Sequence, residues 1–193
     1  MKYTKIKQIA KGWSSYIWLV KNKKGEEFVL KEVREKSPRK DLANREGKML
    51  LLANSVGVGP KVKEINFEKN FVVMEYIKGE KFFDFILSKR FEGEITQTQI
   101  YELIKELFRQ LYLLDTINLS HNQLQIGKNI LVKQIFDKEK KVIKYYPVII
   151  DFEKATIKEK NCTKNLGQLF AMCFYNPNGI IAKRIREKLN LTI

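Results

Sequence analysis

Two polar segments of the sequence each border a short apolar run, and together they offer ligands for a divalent cation. The first, SHNQLQIGKN, ends at Asn129, directly before the apolar run Ile130–Val132. In the second, the apolar run Val148–Ile150 ends at Asp151. Short apolar runs of this kind are consistent with buried strands, and hard cations take oxygen ligands such as carboxamides and carboxylates. Asn129 before one strand and Asp151 after another are therefore predicted to bind one divalent ion.

Both segments resemble loops of the protein kinases. HNQLQIGKNIL resembles the H-R-D-L-x-x-x-N catalytic loop, and IIDFEKA resembles the D-F-G metal-binding loop. The resemblance implies that Asn129 and Asp151 bind Mg²⁺ and that Gln123 stands at the position of the catalytic aspartate. One residue more than usual separates Gln123 from Asn129. His121 is interpreted as a structural residue of this loop, and a simple turn before a strand is the alternative for the whole segment.

A hairpin near the N-terminus is predicted to contact the phosphates of a nucleotide. The segment IAKGWSSYIWLV has alternating apolar residues around a Gly-Trp-Ser-Ser turn, a pattern typical of paired strands. It resembles the G-x-G-x-x-G-x-V loop of kinases. Small residues at its glycine positions still let backbone amides approach phosphates, and an ordinary hairpin is the alternative. The four motif positions hold Ala10, Gly12, Ser15 and Ile17.

A lysine in the next predicted strand is the candidate phosphate ligand. In EFVLKEV, Lys31 alternates with Val29 and Val33, so the three side chains point to one face. On the apolar face of a central strand the ammonium needs an anionic partner, because a bare buried charge is costly. An edge strand with Lys31 in solvent is the alternative. FVLKEV resembles the kinase V-A-I-K strand, which implies that Lys31 binds the α- and β-phosphates of ATP.

The expected partner of this lysine lies on the following helix. Residues 41–54, DLANREGKMLLLAN, have an acidic start and apolar residues at helical spacing. Glu46 falls near the apolar face of this helix. The resemblance to small atypical kinases implies that Glu46 pairs with Lys31 and orients it. A solvated helix glutamate is the alternative, since that is the usual environment of this residue type.

The segment FVVMEYIKGEKF is predicted to contact the adenine base. It resembles the hinge of RIO-type and related atypical kinases. The resemblance implies that Met74 borders the adenine and that the backbone from Glu75 to Ile77 supplies its hydrogen bonds. Backbone donors and acceptors suit adenine because its edge offers both functions. A buried strand that ends before Gly79 is the alternative.

The resemblance covers nearly the whole chain and implies an α+β, two-lobed protein-kinase-like fold. The motif order is similar to that of RIO-type kinases and of the small kinase of tRNA-modification complexes. A small β-rich N-lobe of five strands and one helix is expected over residues 1–78, and a truncated C-lobe with the catalytic and metal-binding loops over 79–193. Further helices are predicted at residues 80–88, 98–117, 166–174 and 180–189, the second with core-facing Leu103, Leu107, Leu111 and Leu114.

The charge and the apolar runs limit the partners of the protein. There are 37 basic and 22 acidic residues, a net charge of +15, which favours anionic partners such as RNA or an RNA–protein complex. Adaptation to a hot environment is the alternative source of such a composition. No apolar run is long enough to cross a membrane, and Cys162 and Cys173 lack metal-site spacing. We therefore expect reduced cysteines, a cytoplasmic location and no membrane partner.

Together these motifs predict an ATP-binding, protein-kinase-like phosphotransferase that uses Mg²⁺. An atypical serine/threonine kinase or a slow ATPase is implied, with Lys31, Glu46 and Gln123 at the catalytic positions and an unknown protein or small molecule as substrate. Two alternatives stay open. One is a pseudokinase that binds nucleotide without turnover, and the other is an RNA-associated binding module on a kinase scaffold.

Overall fold

The computed structural model describes residues 2–37, 40–138, 141–159 and 164–192, so Cys162 lies outside the described residues. The chain divides into two compact units. The first contains Met1–Ile77 and Asp151–Ala155, and the second contains Lys78–Ile150 and Thr156–Ile193. The division expected from the sequence placed residues 151–155 in the second part, whereas this short segment belongs to the first unit.

The first unit is built on a five-stranded antiparallel sheet. Its spatial strand order is β1-β2-β3-β5-β4, which makes β3 the central strand. A π-helical turn at Ala43–Gly47 continues directly into helix α1, Lys48–Ser55. The strands are β1 (Tyr3–Lys11), β2 (Ser15–Asn22), β3 (Glu27–Val33), β4 (Val62–Asn66) and β5 (Phe71–Glu75).

Alternation along β3 separates an apolar cluster from the charged residue of this strand. Leu30 packs with Val20 and Val73 in a buried cluster on one face of the sheet. Successive side chains of a strand point to opposite faces, so Lys31 lies on the other face, in register with Ile17 of β2 and Val72 of β5. The central position of β3 excludes the edge-strand alternative for Lys31.

The second unit combines a long helix, shorter helices and two small sheets. Its sheets have the strand orders β6-β8-β9 and β10-β7. The strands are β6 (Glu80–Lys81), β7 (Leu119–Ser120), β8 (Ile130–Asp137), β9 (Val142–Ile149) and β10 (Thr156–Ile157). The helices are α2 (Phe82–Leu87), α3 (Lys89–Gly93), α4 (Gln97–Thr116), α5 (Asn165–Phe170) and α6 (Ile180–Leu189).

Helix α4 confirms the strongest helical pattern of the sequence. It begins after Thr96, whose side chain and that of Gln99 form a reciprocal capping box. The predicted leucine stripe is fully buried: Leu103, Leu107, Leu111 and Leu114. Among the described residues, none of the helices has both the length and the apolar character that a bilayer span requires.

Two predicted helices differ from the observed elements. The helix expected at 80–88 begins only at Phe82, because Glu80 and Lys81 pair with Val132 and Leu131 of β8 and are strand instead. The helix expected at 166–174 is divided into α5 and a π-helical turn at Ala171–Tyr175. At Glu80 and Lys81, backbone pairing with β8 overrides the periodicity of the side chains.

The β6–β8 pairing depends on a glycine. A Cβ atom on Gly79 would lie 2.7 Å from the carbonyl oxygen of Val132, so only a residue without a side chain fits there. We expect Gly79→Ala to lower the free energy of unfolding by about 1–3 kcal/mol, because the backbone of β8 must shift. Gly93→Ala is the matched control, since a Cβ there would meet no atom within 4 Å. Urea denaturation checks both, and equal stabilities would contradict the close approach.

Candidate functional site

Lys31 is the centre of a buried charge cluster in the first unit. Only 5% of its surface is exposed, and it lies on the central strand of the sheet. A buried ammonium requires anionic partners. Three carboxylates supply them, and each comes from outside β3: Glu46, Asp151 and Glu153.

The predicted pairing of Lys31 with Glu46 is present. Glu46 is 1% exposed and forms an ion pair with the Lys31 Nζ atom through its Oε2 atom. It lies in the π-helical turn Ala43–Gly47, a type of turn that occurs frequently at functional sites. The solvated-glutamate alternative is therefore wrong.

The segment after β9 brings two more carboxylates to the lysine. Asp151 has left-handed backbone angles, φ 65° and ψ 66°, and its Oδ1 atom lies 2.7 Å from Lys31 Nζ. A short 3₁₀ turn follows at Phe152–Lys154. The left-handed region costs little for aspartate compared with most other residues. Through this turn the Glu153 Oε2 atom comes within 3.8 Å of Lys31 Nζ.

The charges in this cluster shift one another's protonation equilibria. Burial alone would lower the pKa of the Lys31 ammonium, but the charges of Glu46 and Asp151 raise it above its ordinary value. Burial raises the pKa of Glu46 to about 7 against the opposing effect of Lys31, and the negative charges of Asp151 and Glu153 add to the rise. Lys31 is therefore held in its charged form, while the neighbouring carboxylates repel one another.

The donor set of the cluster suits a hard cation. Glu46, Asp151 and Glu153 each have a carboxylate oxygen within 4.8 Å of the others. Carboxylate oxygens are the ligands that Mg²⁺ prefers in proteins, so the group fits the ion that the sequence predicts for Asp151.

A tight turn between β1 and β2 closes on the same cluster. The Ser14 hydroxyl donates a hydrogen bond to Glu153 Oε2 at 2.5 Å, and Ser14 is buried. On the backbone side, the Arg34 Nη1 atom donates to the carbonyl oxygens of Gly12 and Trp13, each at 3.1 Å. The turn is therefore held both by its main chain and by the side chain of Ser14.

Sequence reasoning missed the partnership of Ser14 and Glu153. These residues lie 139 positions apart, and Ser14 falls between the positions matched to the kinase loop. One signal was present: Glu153 follows Asp151-Phe152 where the D-F-G motif has glycine. A carboxylate at that position brings another charge to the lysine.

The other predicted nucleotide ligands of the first unit lie on β1, β2 and β5, except Gly12 in the turn between β1 and β2 and Ile77 after β5. Ala10 pairs with Ile17 in the β1–β2 ladder, and Met74 of β5 pairs with Val29. Met74 and Ile77 are buried. The Glu75 N–H donates to the Lys61 carbonyl at 2.9 Å, so this donor is already used within the first unit. Assignment of these residues to nucleotide binding stays a prediction.

In the second unit, Gln123 and Asn129 belong to one hydrogen-bonded loop. The Asn129 side-chain N–H donates to the backbone carbonyl of Gln123 at 3.0 Å. The side-chain oxygen of Asn129 is therefore the atom that a cation would bind. The buried His121 ring contacts the Ile150 carbonyl through Nε2 at 2.9 Å, in agreement with its structural interpretation. Asn129 and Asp151 belong to different units, and their joint binding of one ion stays a prediction.

A fully buried asparagine supports this loop and was not anticipated from the sequence. Asn165 accepts the backbone N–H of His121 at 2.9 Å and donates to the Leu119 carbonyl and to Asp115, both at 2.7 Å. Buried polar groups of this kind must be satisfied, and each bond fixes a neighbouring segment. Asn165 thus links helix α5 to the end of α4, to β7 and to the His121 loop.

Comparison with solved structures identifies this arrangement of elements. Two structures of the Rio2 kinase from Chaetomium thermophilum align with TM-scores of 0.66 and 0.67, at 17% and 18% identity, over 97% and 98% of this chain. The chain has the fold of a RIO-type atypical protein kinase. The kinase PK-1 of the Cydia pomonella granulovirus aligns over 82% of the chain with a TM-score of 0.61 and 22% identity. The predicted kinase-like fold class is therefore confirmed.

The resemblance to these kinases is one of structure. No family model and no curated protein sequence matches this chain. The chain spans about three fifths of the length of the matched kinases, with 62%, 59% and 56% of their chains covered. The comparison thus shows the RIO-type kinase fold, and the chemistry must be argued from the residues of this chain.

The buried ion pair predicts a specific pattern of stability. Lys31→Met leaves Glu46 buried without its cation, and we expect the free energy of unfolding to fall by about 3–5 kcal/mol. The double variant Lys31→Met/Glu46→Met removes both charges and should recover much of this loss. Lys21→Met is the matched control, because its ion pair with Glu27 is exposed and should contribute less than about 1 kcal/mol. Equal losses in the single and double variants, measured by urea denaturation, would contradict the pairing.

Proposed function

We propose that the chain binds ATP with Mg²⁺ and transfers or hydrolyses its terminal phosphate slowly, as a protein-kinase-like phosphotransferase. The observation that carries this proposal is the buried Lys31 on the central strand, held by Glu46 and by Asp151 of the metal-loop motif. A purely structural ion pair would need one carboxylate, whereas this cluster adds carboxylates from a second, distant segment. The RIO-type kinase fold supports the same function.

Lys31 is the group that would bind the nucleotide phosphates. Its ammonium stays charged at all physiological pH values because neighbouring carboxylates raise its pKa. Glu46 fixes the position of the ammonium, and this preorganisation lowers the cost of ordering the site when phosphate binds. The Gly12–Ser15 turn adds small residues close to the same lysine.

Asp151 is the first residue that would hold the metal, with Glu153 nearby and with Asn129 predicted from the kinase motif. One of the matched Rio2 structures is a complex with ADP, Mg²⁺ and phosphoaspartate. In this chain Mg²⁺ would neutralise the charge of the phosphate oxygens.

Gln123 limits the rate that this site can reach. Its side-chain carbonyl can accept a hydrogen bond from a hydroxyl group, but it cannot take up a proton at neutral pH. General-base assistance is typically worth about 10²–10⁴-fold. Phosphoryl transfer otherwise depends on positioning and electrostatic stabilisation, so slow transfer to a hydroxyl group or to water is expected.

A second candidate function is favoured by the same residue. Without a carboxylate at position 123, the chain could bind nucleotide and respond to it without turnover, as a pseudokinase does. Both functions require Lys31 and Asp151, and they differ only in whether the bound ATP reacts. Nucleotide binding and turnover must therefore be measured separately.

The first test is ligand-dependent stability. A ligand that binds only the folded state at a hundredfold excess over its Kd stabilises the protein by about 2.7 kcal/mol, so Mg-ATP should raise the melting temperature. Asp151→Asn should remove most of the Mg²⁺-dependent part of this rise, and Lys31→Met should abolish nucleotide binding at a temperature where it remains folded. Lys21→Met should behave like the wild type. An undiminished shift in both site variants would contradict the proposal.

The second test concerns Gln123. We expect Gln123→Asp to raise the rate of phosphate release or transfer by about tenfold or more, because it restores a proton acceptor, while the Kd for ATP stays unchanged. Labelled ATP allows phosphoprotein and free phosphate to be followed separately, with Asp151→Ala as the inactive control. Binding without turnover in both wild type and Gln123→Asp would indicate the pseudokinase. Equal rates in the two proteins would show that another group accepts the proton.

A further inference from the structure

Glu153 contacts Lys31, which the proposed function assigns to phosphate binding, and Ser14 in the turn that follows β1. Its Oε2 atom accepts the Ser14 hydroxyl hydrogen bond at 2.5 Å and lies 3.8 Å from Lys31 Nζ. The side chains of Lys31 and Glu153 are 6% and 9% exposed, and Ser14 is buried. One carboxylate oxygen therefore bridges the lysine and the turn that follows β1.

These contacts are the ones that an oxygen of a nucleotide phosphate would make. A phosphate oxygen, like a carboxylate oxygen, is a negatively charged acceptor that pairs with an ammonium and accepts from a hydroxyl group. Because the atoms are buried, solvent and salt screen them much less than a surface pair. Glu153 and a phosphate group would thus compete for the same donors, and their negative charges would repel each other.

The turn itself is built to hold Ser14 in this position. Arg34 binds the carbonyl oxygens of Gly12 and Trp13 with its side chain, and its backbone N–H donates to the Ser14 carbonyl at 2.9 Å. These hydrogen bonds from Arg34 hold the backbone of the turn in addition to the bond between Ser14 and Glu153. Ser14 is therefore positioned from the backbone side as well, and its hydroxyl is a preformed donor.

We propose that Glu153 is an internal counter-ion that competes with nucleotide phosphate for Lys31 and Ser14 and so makes phosphate binding depend on a divalent cation. This inference rests on the proposed nucleotide site. Without a cation, the charge of Glu153 opposes the incoming phosphate. A divalent cation at Asp151 neutralises that charge and releases Lys31 and Ser14 to the nucleotide. Glu153 thus determines specificity for metal-bound over metal-free phosphates.

The charge and the hydrogen bond of Glu153 can be separated by mutation. Glu153→Gln removes the charge but keeps an oxygen that accepts the Ser14 hydroxyl, so the turn remains held. Ser14→Ala removes the hydrogen bond but leaves the charge. Glu27→Gln is the control, since Glu27 also faces a lysine, at 3.5 Å, but in an exposed pair. If Glu153 only held the turn, Ser14→Ala would change the Kd of metal-free ADP more than Glu153→Gln.

The measurement is the Kd of ADP with EDTA and with Mg²⁺ for the wild type and the three variants. We expect Glu153→Gln to lower the Kd of metal-free ADP by about tenfold or more, because one nearby repulsive charge is lost. The Kd of Mg-ADP should change much less. Ser14→Ala and Glu27→Gln should keep the strong Mg²⁺ dependence of the wild type. Unchanged or weaker metal-free binding by Glu153→Gln would overturn the proposal.

A probe without adenine separates this inference from the proposed function. Inorganic pyrophosphate is titrated in a Trp18→Phe background, where Trp13 is the remaining tryptophan of the chain. Trp13 is 65% exposed beside Ser14, so its fluorescence reports on the turn. If ADP does not bind but metal-free pyrophosphate binds more tightly after Glu153→Gln, the proposed function fails and the counter-ion role stands. If neither ligand binds to any variant, both are wrong.

Discussion

The ion pairing of the buried Lys31 ammonium is the interaction on which the first unit depends. Burying a charge costs several kcal/mol, and the cost is recovered only when partners with good geometry surround it. Glu46 comes from the helical segment after β3, whereas Asp151 and Glu153 come from a segment far along the chain. Along the sequence, residues 151–155 stand between two segments of the second unit, yet they belong to the first. The attraction of Lys31 for these carboxylates explains that assignment.

The same cluster places three carboxylates around one ammonium, and their mutual repulsion is a second constraint on the site. Burial raises the pKa of Glu46 to about 7 in spite of its ion pair with Lys31, and the negative charges of Asp151 and Glu153 add to the rise. Under the proposed function, a cation held by these carboxylates would offset part of this repulsion while Lys31 pairs with phosphate.

The kinase motifs are kept at some positions and changed at others, including two glycine positions of the N-terminal loop, which hold Ala10 and Ser15. Lys31, Glu46 and Asp151 have the types and the contacts that the motifs imply. Gln123 and Glu153 do not match the motifs, and each changes a charge: one removes a carboxylate and the other adds one. At 17–22% identity to the matched kinases, the common feature is the pattern of strands and helices that places these side chains.

The sequence by itself determined the long strands and helices of the fold. The alternation of EFVLKEV and the leucine stripe of α4 are local periodicities, which depend only on backbone geometry, and both appear as predicted. The order of the motifs also pointed to the kinase-like fold. Helix and strand were confused only at Glu80–Lys81, where pairing with β8 decides the conformation.

Tertiary structure alone decided which groups join the predicted pair of Lys31 and Glu46. Whether Lys31 is buried depends on the strand order β1-β2-β3-β5-β4, and no local pattern encodes that order. The contact of Ser14 with Glu153 joins residues 139 positions apart. Asn165 of α5 forms hydrogen bonds with three separate segments, and no local pattern in the sequence of α5 indicates them. Such contacts follow from long-range chain geometry. They become visible only when the folded backbone brings the donors and acceptors within hydrogen-bonding distance.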